Sequence, residues 1–95
     1  MKGYVIANIH VRDADGYEAY RSQTAEVIAK YGGRFLVRGG AVEVREGDPG
    51  IARFVILEFP DMAAARAFYD SPDYQAILPH RTANSEGTLF LVEGV

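Results

Sequence analysis

Four polar side chains of otherwise apolar segments fall on one predicted strand face: Asn8 and His10 in Tyr4–Val11, Arg38 at the end of Arg34–Arg38, and Glu58 near the end of Ile51–Phe59. In an extended strand, side chains i and i+2 project to the same face. That alternation groups Asn8 and His10 with Ile6, Arg38 with Leu36, and Glu58 with Ile56. A carboxylate, a guanidinium and an imidazole in an apolar cavity suit a small-molecule site. Glu58 is the candidate general base if burial raises its proton affinity. Arg38 is the candidate ligand for a carboxylate or enolate oxygen, and His10 the candidate proton shuttle near neutral pH. The competing reading is structural: Arg38 and Glu58 neutralise each other in an interface, because buried charges must be paired. His10 near a strand end then becomes a solvated rim residue.

Tyr17 and Tyr20 stand one helical turn apart and join Asn8 and Arg38 as candidate ligand-binding residues. Tyrosines that pack a ring and wet a hydroxyl are common at core boundaries, so packing alone is the competing account. Tyr69 and Tyr74 read as packing residues. Arg81, just after Pro79, reads as a surface residue within reach of a pocket mouth or a helix C-terminus.

Metal chemistry finds little support. His10 and His80 are the only histidines, there is no cysteine, and no HxH or HxxxH spacing occurs. No metal and no cofactor are expected. The pairs Gly32-Gly33 and Gly39-Gly40 do not link a strand to a helix, so they are not phosphate cradles. They suit a helix stop and a hairpin turn.

The elements that must position these residues follow from periodicity. Tyr4–Val11 is β-branched and apolar and reads as strand 1. Asp13 or Asp15 can cap the helix that follows, where Tyr17, Tyr20, Thr24, Val27, Ile28 and Tyr31 recur at helical spacing. Arg34–Arg38 reads as strand 2, with a hairpin at Gly39-Gly40 leading into a short extra strand at Ala41–Glu46. Ile51–Phe59 is strand 3. Asp61 caps a second helix carrying Met62, Ala65, Phe68 and Tyr69 on one stripe. Ser71-Pro72 restarts a helix that Pro79 bends or ends. Thr88–Val92 is the last strand.

This β-α-β-β-α-β order predicts an α+β, ferredoxin-like antiparallel sheet with its helices on one face. Val5, Ala7, Ile9, Val55, Leu57 and Phe59 are assigned to the helix side, with Phe35 and Val37. The opposite side still carries Ile6, Leu36, Phe54 and Ile56, and Leu89–Val92 is apolar without a break. Two apolar faces need two covers, and one chain supplies one. A second copy of the chain is therefore expected over the open face.

Several motifs in sequence order carry a resemblance. They are Tyr17-x-x-Tyr20, Tyr31-Gly-Gly-Arg-Phe-Leu-Val-Arg-Gly-Gly40, Glu58-Phe-Pro60, Ser71-Pro-Asp-Tyr-Gln75 and Val92-Glu-Gly94. Together they resemble the domain of unknown function 1330 family across nearly the whole chain. The resemblance implies the dimeric α+β barrel superfamily, in which two ferredoxin-like sheets face each other. One departure lies in the loop Glu46–Ala52, where that family usually places an aromatic residue near Asp48. The resemblance supplies fold and assembly, not an activity.

At 95 residues one domain, spanning 1–95, is expected. Hydrophobic residues at 48% and charged residues at 24% describe an ordinary globular chain. A net charge of −3 with scattered basic residues gives no reason to expect nucleic acid. No apolar run is long enough for a membrane span, and no signal-peptide pattern is evident. A cytoplasmic homodimer with a small-molecule ligand is the expectation, working either as a cofactor-independent enzyme or as a binding protein. The alternative is a non-catalytic structural or metabolite-sensing module.

Overall fold

The computed structural model describes residues 1–95 in the order β1 (Gly3–Val11), α1 (Ala14–Lys30), β2 (Arg34–Arg38), β3 (Arg53–Phe59), α2 (Met62–Asp70), α3 (Pro72–Thr82) and β4 (Ser85–Glu93). The strands form one antiparallel sheet in the order β2-β3-β1-β4. This is the α+β, ferredoxin-like arrangement that the element order predicts. No helix is long and apolar enough to cross a membrane.

Each helix begins where a side-chain oxygen can satisfy orphan amides. Asp13 rather than Asp15 caps α1, accepting from the backbone amides of Asp15 and Gly16. Asp61 caps α2 through Ala64, and Ser71 caps α3 through Tyr74. Pro72 opens α3 where its missing N–H costs nothing. The helix runs on through Pro79 to Thr82 instead of ending there. Tyr74, Ile77 and Arg81 are buried along it and keep one face of the helix on the core on both sides of Pro79.

The core lies between the helices and the odd-numbered face of β1 and β3. Val5, Ile9, Leu57 and Phe59 are buried there with Ile28 of α1, Phe68 of α2 and Tyr74 of α3. Phe68 sits between Phe59 and Tyr74, with ring centroids 5.1 and 4.5 Å away. Aromatic contacts of this kind add about 0.5–1.5 kcal/mol to the area they bury. After α1 the chain turns sharply, and Gly33 lies so close to Phe59 that a Cβ there would meet the ring at 2.5 Å.

Two departures from the sequence expectation concern β2. Ala41–Glu46 forms no strand. Gly39 adopts a φ of 68° and gives its amide to the Phe54 carbonyl, which turns the chain out of the sheet. The second departure is a register shift. Phe35 pairs with Leu57, but Val37 pairs with Ile56 and Arg38 with Val55. Leu36 is the extra residue of a β-bulge, and every side chain after it changes face. Val37, assigned to the helix side, therefore joins Ile56 on the open side, and Arg38 joins Val55 on the helix side.

The open face carries an apolar row of one residue from each strand: Val37, Ile56, Ile6 and Phe90 stand side by side in register. Phe90 is 52% exposed, and Leu36 and Val92 are also exposed.

Candidate functional site

The four residues grouped on one face do not come together. Asn8 and His10 lie at one end of the open face, where both bond the loop that leads into β3. The Asn8 amide donates to the Gly50 carbonyl and its oxygen accepts from the Ala52 amide. His10 Nε2 lies 3.1 Å from the same Gly50 carbonyl. Glu58 lies at the opposite end of the strands, opposite Tyr4, four residues along from Asn8. At about 3.3 Å per residue that is roughly 13 Å away. Arg38 is on the other side of the sheet because of the bulge.

Glu58 is engaged as well as distant. Arg34 Nη2 lies 2.9 Å and Nε 3.0 Å from its carboxylate, and the Tyr4 hydroxyl donates to it at 3.3 Å. The Arg34 guanidinium hydrogen-bonded to Glu58 holds its carboxyl below the usual carboxylate range, with burial opposing. The raised proton affinity that a general base needs is therefore not met, and the expected Arg38–Glu58 pair is replaced by Arg34–Glu58.

A pocket does exist, on the helix side. It opens between α1 and the strands β1, β2 and β3 and holds about 50 Å³ of free space, or about 540 Å³ when its open mouth is included. The cause lies in how the two long sides of the sheet are covered. On α2 the small, fully buried Ala65 lets the helix lie close on the strands. On α1 the bulky Tyr17 and Tyr20 occupy that position, and α1 packs chiefly on α3. The rings hold α1 away from the sheet, and the gap is the pocket.

Its sheet wall is apolar apart from Arg38 and Arg53, with Val5, Ala7, Val55 and Leu57 along it. Its polar groups are all donors or carry donors. Tyr17, Tyr20, Thr24 and Tyr74 contribute hydroxyls, and Arg21, Arg38, Arg53 and Arg81 contribute guanidinium groups. The Tyr20 and Tyr74 hydroxyls are 2.7 Å apart, joining α1 to α3. Burial pushes the Tyr20 phenol far above its usual range and raises that of Tyr74, with the nearby Arg81 charge opposing in both cases. Both therefore stay protonated at neutral pH. The Thr24 hydroxyl is committed to the Tyr20 carbonyl at 2.6 Å.

Of the residues singled out in the sequence, the structure brings Tyr17, Tyr20 and Arg38 to this pocket. Arg38 lies over the Phe35 ring at 4.3 Å from its centroid. Arg81, read from the sequence as a surface residue within reach of a pocket mouth, also lines the pocket, and Arg53 was not singled out. Arg81 is 8% exposed rather than on the surface, lies 5.8 Å from the Tyr20 ring centroid, and its buried Nε has no hydrogen-bond partner. A signal for it was present: Tyr74, Ile77 and Arg81 are spaced to share one helix stripe, and the first two are apolar core residues. No group of three His, Cys, Asp or Glu side chains that could hold a metal ion occurs.

With this geometry in place, the comparisons with known proteins bear on the fold. The family model described as domain of unknown function (DUF1330) matches residues 2–95, and the chain belongs to that family. No curated protein matches it. Among solved structures, a protein of unknown function from Rhodopseudomonas palustris is similar, with TM-score 0.76, 20% identity, and 99% of this chain and 82% of that one covered. SnoaB, a cofactor-independent oxygenase from Streptomyces nogalater, is similar with TM-score 0.69, 20% identity, and 99% and 93% covered. A dimeric ferredoxin-like protein of unknown function from Jannaschia sp. CCS1 is similar with TM-score 0.65, 15% identity, and 100% and 99% covered.

Proposed function

For a family member with this pocket, we propose that the protein is a homodimer that binds a small molecule beneath α1. The observation that carries the reading is the convergence of the buried Tyr20–Tyr74 hydroxyl pair and Arg81 on an otherwise apolar pocket. A concave apolar site with a few converging polar groups is how small-molecule sites are built. Tyr17, Tyr20 and Arg38 keep their proposed role as ligand-binding residues. Asn8 and His10 are assigned to anchoring the loop before β3, and Glu58 to the Arg34 pair. The same reading takes residues 1–95 as one domain acting in the cytoplasm, with neither nucleic acid nor membrane as partner.

The second copy is assigned to the open face. The row Val37, Ile56, Ile6 and Phe90 is contiguous and apolar, and one of the similar solved structures is described as dimeric. Pairing the two open faces leaves both pockets accessible on the outside of the assembly.

Binding is favoured over proton-abstracting catalysis by the lining itself. None of its residues is Asp, Glu or His, so nothing there accepts a proton at neutral pH. The likeness to SnoaB makes oxygenation of a bound substrate the enzymatic alternative. Oxygen uptake in the presence of a bound ligand would distinguish the two.

The test of the binding reading is a thermal-shift screen with small carboxylates, phenols and quinones on the wild type and on Ala7→Phe. A ligand that binds only the native state raises its stability. The expected result is a raised midpoint for at least one class in the wild type and none in Ala7→Phe, whose new ring fills the pocket. An equal response in both variants places binding elsewhere and overturns the reading.

A further inference from the structure

We propose that the ligand of the α1 pocket is an organic anion, an apolar body with a single carboxylate or ionised enol or phenol oxygen, and that Arg81 is the residue that takes its charged end. This rests on the binding reading above and adds the chemical class.

The first support is the state of Arg81. A guanidinium does not lose its proton in a protein, so burial cannot be relieved by neutralisation. Burying a charge is tolerated when it is paired. Arg81 is buried, its Nε has no partner, and no carboxylate pairs with it, since the ion pairs of the chain involve Arg12, Arg21, Lys30, Arg34 and Arg45. Its neighbours in the pocket, the Tyr74 hydroxyl and the Tyr20 ring, are neutral, so the charge is left for an acceptor that enters the pocket.

The second support is the donor balance. One hydroxyl of the Tyr20–Tyr74 pair donates to the other, which leaves one hydroxyl hydrogen uncommitted. Arg38 and Arg53 line the pocket and form no ion pair. Uncommitted donors therefore meet no carboxylate or imidazole among the lining residues. A neutral ligand with its own N–H or O–H groups adds donors to donors, whereas an oxygen anion accepts from all of them. The apolar part of the sheet wall, Val5, Ala7, Val55 and Leu57, sets the rest of the ligand.

The third support is the bulge at Leu36. Without it, regular alternation sends Arg38 to the open face. With it, Arg38 is on the pocket side, which adds positive charge near the mouth and no acid to cancel it.

The test compares benzoate with benzamide, which share a ring and differ in charge, by following backbone amide NMR shifts on titration. The expected result is binding of benzoate at least about tenfold tighter than benzamide, with shifts centred on Tyr20, Tyr74 and Arg81. Arg81→Met is expected to remove the preference while leaving the weak benzamide binding. Equal affinities, or tighter benzamide binding, in the wild type overturn the anion assignment and leave the pocket reading standing. A preference that survives in folded Arg81→Met overturns the role of Arg81. If neither probe shifts pocket residues, or both bind Ala7→Phe unchanged, the binding reading fails and the anion proposal fails with it. The wild-type comparison decides the ligand class even if Arg81→Met does not fold.

Discussion

The Arg38 guanidinium lies 4.3 Å from the centroid of the Phe35 ring, although the two residues are three apart on one strand. On a regular strand that spacing sends side chains to opposite faces. The extra residue Leu36 cancels the alternation and sets cation and ring on the same side. A cation–π contact at an exposed site is worth about 0.5–1 kcal/mol. Arg38→Ala is therefore expected to lower the unfolding free energy by about that amount, measured by urea denaturation. Deleting Leu36 is expected to remove the bulge while leaving Val37 opposite Ile56 and Arg38 opposite Val55, so the contact between cation and ring survives.

The Tyr20–Tyr74 hydroxyl pair is buried and short. Tyr20→Phe leaves the Tyr74 hydroxyl without its partner, a loss of about 1–3 kcal/mol. Tyr20→Phe with Tyr74→Phe removes both groups and is expected to lose less than the sum of the single variants. A double-mutant cycle of unfolding free energies checks this, and strict additivity contradicts it.

Arg81→Met is expected to stabilise the ligand-free protein. It removes a buried charge that no carboxylate pairs with and keeps an unbranched chain against the Tyr20 ring. The gain is on the order of 1 kcal/mol, read as a higher urea midpoint at unchanged slope. A loss of stability shows that the guanidinium is well satisfied where it is. Sites built for ligands commonly trade stability for binding in this direction.

Glu58 titrates below the usual carboxylate range because Arg34 hydrogen-bonds its charged form. A lowered folded-state value means that the unfolded chain takes up this proton first as pH falls. The contribution of the pair is complete above the ordinary carboxylate value of about 4.3 and is lost as pH falls through the lower folded value. Glu58→Gln is thus expected to be less stable than wild type at pH 7, with the gap narrowing below about pH 4. Thermal melts of both proteins from pH 7 to 3 check it; a gap constant with pH contradicts it.

Phe90 and Ile6 are neighbours across β1 and β4 on the open face. Phe90→Asp sets a charge at the β4 end of the apolar row and is expected to convert dimers to monomers. Sedimentation equilibrium reads this, together with the wild type. A monomeric wild type overturns the homodimer reading.

Local chemistry made much of the fold legible. Spacing marked α1, and Asp61, Ser71 and Pro72 announced where α2 and α3 begin. The period-two rule correctly set Val5, Ala7, Ile9, Leu57 and Phe59 on the buried face, because β1 and β3 are regular. The rule failed on β2, where it assumes regular pairing. The bulge arises from how β2 meets β3, and a five-residue strand carries too little pattern to reveal it. Ala41–Glu46 alternates like a strand, yet the positive φ at Gly39 carries the chain away from the sheet.

The sequence by itself determined the ferredoxin-like order, its core face and the apolar open face, since these depend on local spacing and capping. It also offered Glu58, His10 and Arg38 as a cluster. Only the tertiary structure decided against that cluster, because strand register fixes which residues become neighbours. The pocket is equally a tertiary product. Tyrosines on α1 and an alanine on α2 set two helices at different heights over one sheet, and α3 carries Arg81 into the gap between them.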